Sequence, residues 1–400
     1  MTTTTEQMRA WRGPALFTYG FRPFFLGAAL WAALAMALWI AMLAGRLALP
    51  TAFDPVSWHA HEFLFGYLGA VIAGFLTTAV PNWTGRMPIV GWPLAALFAT
   101  WVAGRIAIAV SAALTPGLAA AIDLAFPILF ALAIGREIVA GRNWRNLPVL
   151  GLLATFILAN ALFHWEAAQG GYAAGGYGLR LGLAAALVMM ALIGGRIVPS
   201  FTLNWLVKRG EARLPEPPMQ RFDRLALAVL VPALALWVVA PTGWPAAALL
   251  ALAGGLHLVR LWRWRGALTL AEPLVTVLHA GYAFLPLGAL AVAAEAVAPG
   301  TFGTGGQHLW MAGALGMMTL AVMTRATLGH TGQALTAGRG TVAIYLALAV
   351  AVLARLAAGA LPAEAQPLYD LAGTGWIAAF AGYAALYGPL LLRAAPGKRA

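Results

Sequence analysis

Residues 58–81 read WHAHEFLFGYLGAVIAGFLTTAVP. Two imidazoles and a carboxylate, His59, His61 and Glu62, open the stretch, and no further charge appears before Pro81. About 20 consecutive apolar residues are enough to cross a bilayer as a helix. Helix is required there because each backbone amide and carbonyl in lipid must find its partner within the segment. Working outward, segments of the same kind occur at 23–44, 92–110, 117–135, 147–165, 179–199, 224–240, 244–262, 272–293, 308–328, 341–359 and 367–392. The expected fold is therefore all-α, a polytopic membrane protein of about twelve transmembrane helices. The composition agrees: 62% of the 400 residues are hydrophobic and 10% charged, against roughly a quarter charged in soluble domains. Mean hydropathy is +0.82. The chain reads as one membrane domain over 1–400, with six helices in 1–199, a cytoplasmic loop at 200–223 marked by Pro215, Pro217 and Pro218, and six helices in 224–400. No small-residue cleavage site follows the first apolar run convincingly, so that run is expected to be a retained helix.

Lys and Arg number 25 against 13 Asp and Glu, a net charge of +12. In a soluble protein this would suggest nucleic acid, but the cations cluster in alternate loops, as the positive-inside rule requires. Arg9, Arg12, Arg86, Arg136, Arg142, Arg145, Lys208, Arg209, Arg213, Arg221, Arg260, Arg263, Arg265, Arg339, Lys398 and Arg399 fall on one side, leaving Arg46 and Arg180 on the other. Both termini are then cytoplasmic, and the partner is the lipid bilayer rather than nucleic acid. The absence of cysteine excludes disulfides, thiolate metal sites and covalently attached haem. No phosphate-cradling loop, dinucleotide fingerprint or nucleophile elbow is present, which argues against ATP-driven transport and hydrolase chemistry.

Candidate chemistry rests on seven histidines. His59, His61, His164 and His308 fall at the outer ends of their helices; His257, His279 and His330 fall in the inner half. Neutral imidazole suits haem iron and copper alike, whereas an interfacial histidine can equally hydrogen-bond headgroups or a loop. His59 and His61, two residues apart, project about 200° apart on a regular helix and cannot share one ion. His59 or His61 with His308 forms the expected axial pair for a haem, and the remaining outer histidine with His164 and Met311 forms a candidate copper site. Met311, three residues after His308, shares its helix face. Glu62 is placed as a proton relay, as the carboxylate that orients a ligating imidazole, or as an interfacial ion-pair partner. Arg105 and Arg355, inside helices three and eleven, are candidates for haem propionates or a relay, and Arg86 and Arg196 for propionates or another anion. A second inner site is expected around His279, with His330, Tyr282 and Arg325. Catalytic residues are not assigned.

The second, sixth and tenth helices share polar termini and small residues, suggesting three four-helix repeats. Four stretches carry a family resemblance: Gly20-Phe21-Arg22-Pro23-Phe24-Phe25, the Trp58–Glu62 cluster, Ala79-Val80-Pro81-Asn82-Trp83-Thr84-Gly85-Arg86, and Val322-Met323-Thr324-Arg325-Ala326-Thr327-Leu328-Gly329-His330-Thr331-Gly332. Together they resemble the NnrS family over nearly the whole chain. The resemblance implies a bacterial inner-membrane protein holding haem and copper and linked to denitrification, nitric oxide and nitrosative stress. It supports His59, His61, His279, His308 and His330, and His164 and His257 more weakly. The four-helix periodicity is similar to that of the haem–copper oxidase catalytic subunit, whose second and tenth helices ligate the low-spin haem. Helices six and seven here carry no histidine, so the usual binuclear copper site has no counterpart. Any haem is expected to be b-type, since no cysteine can attach it. Any electrons would come from quinol or a separate protein, and as an enzyme the chain would be a membrane oxidoreductase acting on nitric oxide or a related nitrogen species. The alternatives are a transporter or metal carrier using the same histidines, and a haem-based nitric oxide sensor.

Overall fold

The computed structural model describes residues 11–86 and 88–393. Arg9, Lys398 and Arg399, which count toward the charge asymmetry, lie outside the described residues. Among the described residues, twelve helices are long and apolar enough to cross a membrane. They are α1 (Phe21–Leu43), α2 (Pro55–Thr84), α3 (Trp92–Ala109), α4 (Pro116–Ala140), α5 (Trp144–Ala168) and α6 (Tyr177–Lys208). After the proline-bearing loop come α7 (Arg221–Val239), α8 (Trp244–Arg263), α9 (Pro273–Val297), α10 (Gly305–His330), α11 (Arg339–Ala360) and α12 (Pro362–Leu392). No strand occurs among the described residues, so the chain is an all-α multi-pass membrane protein.

Local chemistry sets the helix ends. Proline occupies the first turn of α2, α3, α4, α8 and α9, where its missing N–H costs no intrahelical bond and its fixed φ suits the helix. Asp54 caps α2 by accepting from the amides of Val56 and Ser57, each at 3.0 Å, and Glu272 caps α9 through the amide of Leu274. The end of α2 is set by Gly85 at φ 67°, a left-handed position that a glycine adopts without a Cβ clash.

The chain forms two compact units. The first takes the described residues up to Gly182, Ala326–Gln333, and those from Phe380 onward. Here α2 is central: 83% of its apolar window is buried, against 28% for α1 and α4. The guanidinium of Arg22, at the start of α1, donates to the carbonyls of Leu391 (2.8 Å) and Arg393 (2.7 Å), closing the last turn of α12. A cation at a helix C-terminus pairs with unsatisfied carbonyls and with the negative end of the helix dipole, so the Gly20–Phe25 motif has a structural role.

The second unit takes Leu183–Arg325 and Ala334–Ala379. Its centre is the antiparallel pair α9 and α10, in which small residues bring the backbones together. Gly306 faces Ala291 and Val292, Gly288 faces Trp310, Gly313 faces Phe284, and Gly281 faces the backbone of Met318. Trp310 Nε1 donates to Leu285 O across the seam at 2.9 Å.

Both α2 and α10 contain a π-helical stretch: Glu62–Tyr67 directly after His61, and Leu309–Met317 directly after His308. Such insertions re-aim side chains and are frequent at functional sites.

Candidate metal centre

The π stretch of α2 begins at Glu62, and the residues around it belong to α2, α3, α4 and α5 of the first unit. Six polar side chains meet there, all buried: His61, Glu62, Arg105, Asp123, Asn160 and His164. His61 Nδ1 lies 3.0 Å from Glu62 Oε1, and its Nε2 lies 3.0 Å from Asn160 Oδ1 and 3.3 Å from Asp123 Oδ2. His164 Nε2 is 3.1 Å from the same Asp123 Oδ2, to which Asn160 Nδ2 donates at 2.8 Å. Arg105 bridges the two carboxylates, donating Nη1 to Glu62 Oε1 at 2.6 Å and Nη2 to Asp123 Oδ1.

Glycines allow this density. A Cβ at Gly66 would collide with the Arg105 guanidinium and sit 3.1 Å from Glu62 Oε2, and one at Gly104 would sit 3.0 Å from Asp123 Oδ1. The rings of Phe53, Phe65 and Phe163 enclose His61 at centroid distances of 5.4–5.6 Å. The result is a polar cluster walled by hydrocarbon, where an uncompensated charge is expensive.

The donor and acceptor count shows what the cluster lacks. Both ring nitrogens of His61 face acceptor oxygens, whereas a neutral imidazole carries a single N–H. Either a second proton or a cation at Nε2 resolves the mismatch. The formal charge points the same way: two carboxylates against one guanidinium leave −1. Two further buried atoms, Glu62 Oε2 and Arg105 Nε, have no hydrogen-bond partner among the described residues. One ligand atom each from His61, Asp123 and His164 lie within 4.8 Å of one another, a spacing that could hold a metal ion. With a cation at Nε2, Glu62 would hold the Nδ1 proton, the arrangement that orients ligating imidazoles.

The other residues singled out from sequence are placed as follows. His59 does not enter this cluster; its ring stacks on Trp39 at 4.6 Å, as the angular separation from His61 requires. Arg86 is ion-paired with the buried Glu137 at 2.6 Å. His330 packs in the first unit against Tyr19 and Phe21. In the second unit His279 bonds Thr202 at 2.8 Å, and Arg325 lies over the Phe201 ring at 4.2 Å. Arg196 is half-buried on α6, and Met311 lies in the π stretch of α10. His308 Nδ1 donates to Thr304 O at 2.8 Å, and Arg355 Nη2 donates to Thr304 Oγ1 at 2.5 Å.

Tyr282 belongs to a separate buried network in the second unit. His257 Nδ1 is 2.8 Å from Tyr282 Oη, which also accepts from Arg260 Nη1 at 2.8 Å, while Arg260 Nε donates to Asp223 at 2.7 Å. His257 Nε2 faces Ala226 O at 3.3 Å. A carbonyl only accepts, so the proton is on Nε2 and Tyr282 donates to Nδ1. Every polar group in this chain of contacts is matched, and it reads as packing rather than chemistry.

Two residues of the cluster were not singled out from sequence: Asp123 and Asn160. Asp123 is the only charged residue between Gly117 and Gly135, and a lone ionisable residue inside an apolar span is itself a signal. Asn160 carries no such mark.

Fold and cluster define a polytopic helical membrane protein with a buried site of metal-binding character. Residues 15–394 match the sequence profile of the family described as NnrS protein. The chain belongs to the NnrS family. No individual curated protein matches it. Membership fits a protein of the nitric oxide response.

Proposed function

We propose that the chain is a metal-bearing inner-membrane protein of the nitric oxide and nitrosative stress response, linked to denitrification. Its ion site would be His61, Asp123 and His164. The observation that carries this reading is that both nitrogens of a fully buried imidazole face oxygen acceptors beside a second imidazole. Two imidazoles and a carboxylate suit first-row transition metals, copper among them. Arg105 holds both carboxylates in register, and the surrounding aromatic rings exclude water from the ion.

A haem b fits a different set of residues. His61 and Arg105 are committed to carboxylates, and the crowding of three phenyl rings around His61 suits a bare ion rather than a macrocycle. His308 has its Nδ1 proton bound to a carbonyl, which puts the lone pair on Nε2, the usual ligating arrangement. Arg355 Nη1 is buried with no hydrogen-bond partner among the described residues, and a guanidinium edge in that state suits a propionate carboxylate. His308 would hold the iron and Arg355 a propionate, and the group would supply reversible one-electron chemistry or a site for a diatomic ligand.

The test is metal analysis and the optical spectrum of the purified full chain. His61→Ala, His164→Ala and Asp123→Asn should lose the non-haem ion and keep the Soret band; His308→Ala should do the reverse. Unchanged copper in all three variants of the first group would overturn the ion site, and an unchanged spectrum in His308→Ala would overturn the haem assignment.

A further inference from the structure

The second unit holds a buried nitrogen whose protonation state follows from its neighbours. Thr202 has one hydroxyl hydrogen, and its Oγ1 lies 2.8 Å from Val198 O, an acceptor that can only receive it. The contact of the same oxygen with His279 Nε2 at 2.8 Å therefore has the imidazole as donor. With the proton on Nε2, Nδ1 carries a bare lone pair. That atom is buried and has no hydrogen-bond partner among the described residues. The backbone of Gly266 packs against the same ring, where a Cβ would stand 2.6 Å from Nδ1 and 2.7 Å from Cγ, so a larger residue there would displace the imidazole.

Next along α6 from Thr202 is Phe201, whose ring carries Arg325 at 4.2 Å. Arg325 makes no ion pair or hydrogen bond among the described residues. Glu272, the acidic group whose charge acts on it, is occupied with the backbone amides of Leu274 and Ala337. From the backbone contact of Gly281 with Met318, the antiparallel register places Arg325 about 7 Å beyond the level of His279. Side chains lean toward the N-terminus of their own helix, so on antiparallel neighbours these two lean toward each other.

A ligand here must donate a hydrogen bond to Nδ1 and accept one from a guanidinium. A metal cation is disfavoured beside Arg325, and the one metal-type grouping among the described residues is His61–Asp123–His164. A simple anion gains at Arg325 but meets a lone pair at His279. We propose that His279 and Arg325 bind the head group of a membrane quinol, one hydroxyl donating to His279 Nδ1 and the opposite oxygen accepting from Arg325. Both residues lie within membrane-spanning helices, where a neutral lipid-soluble ligand is at home, and the Phe201 ring offers a flat apolar wall.

The experiment titrates the purified full chain in nanodiscs with decylubiquinol, alongside thermal melts of every variant. His279→Asn puts a carbonyl oxygen near the place of Nδ1 and should bind within a few-fold of the unaltered chain. His279→Gln keeps a donor toward Thr202 but loses the acceptor, and should weaken binding about tenfold, the worth of one hydrogen bond. Gly266→Ala and Arg325→Gln should weaken it comparably. Equal affinity in His279→Gln and the unaltered chain, failure of folded His279→Asn to bind, or no decylubiquinol binding at all would overturn the proposal. So would displacement of decylubiquinol by vesicles of phosphatidylglycerol alone, which would make Arg325 a lipid anchor.

Discussion

Arg105 holds together two carboxylates that could not otherwise share a dry site. Removing one member of a buried ion pair strands the other, at a cost of about 3–5 kcal/mol. Arg105→Leu strands both Glu62 and Asp123 and should lower the thermal midpoint by more than any substitution of a lipid-facing residue such as Leu132. Arg105→Lys should recover only part of that loss, because one ammonium cannot reproduce the forked contact with two carboxylates. A scan of the detergent-solubilised variants checks the order Leu132→Ala, Arg105→Lys, Arg105→Leu. Metal linkage gives a second expectation at the same residues. An ion that binds the folded state at about a hundred times its Kd stabilises it by about 2.7 kcal/mol. Added copper should therefore raise the midpoint of the metal-stripped chain but not of His164→Ala; equal shifts in both would remove His164 from the site.

Helix α2 joins its site to its packing through the π stretch, and two glycines within one helical turn separate those roles. Gly66 lies against the Arg105 guanidinium and Glu62, whereas a Cβ at Gly69 would meet nothing within 4 Å. Gly66→Ala should displace Arg105, reduce bound metal and destabilise the chain, while Gly69→Ala should be neutral or stabilising, since alanine is the better helix former by about 1 kcal/mol. Metal content and thermal midpoint of the pair decide it, and matching behaviour would mean that the close approach at Gly66 carries no energetic weight. The twelve helices were legible because unbroken apolar runs leave a backbone in lipid one choice. His59, His61, Glu62, Arg105 and His164 were legible as intramembrane polar groups, and so was the separation of His59 from His61, from their spacing; what was not legible is that His59 would stack on Trp39. The π stretches were not legible, since hydropathy is the same for an α-helix and a π-helix. Nor was the role of Asn160: an amide is cheap enough in a span to pass as packing until its two partners, from two other helices, stand beside it.

At the scale of the whole molecule, the boundaries between the two compact units fall inside α6, α10 and α12 as well as after Gln333. A division at the 200–223 loop is thus not the only way to partition the chain, since long helices pass from one unit to the other. The charge distribution carries an expectation of orientation. Arg142 lies in the turn from α4 to α5 and Arg145 in the first turn of α5, Lys208 ends α6 and Arg209 and Arg213 follow it, whereas the segment from α9 to α10 has neither Lys nor Arg. Each cation near a span end biases its loop to the cytoplasm, and successive spans must alternate sides. Reporter fusions after Arg142 and within 208–220 should therefore show cytoplasmic activity, and one at Gly303 should show the outer face. By that alternation the His61–Asp123–His164 cluster and His308 are expected toward the outer helix ends, and His279 and Arg325 toward the cytoplasmic ones. A fusion series with the opposite pattern would invert both placements at once, putting the proposed quinol site on the outer half and the ion site on the cytoplasmic half. The contacts within each site would be unchanged, so the metal and quinol titrations test chemistry independently of the side on which it occurs.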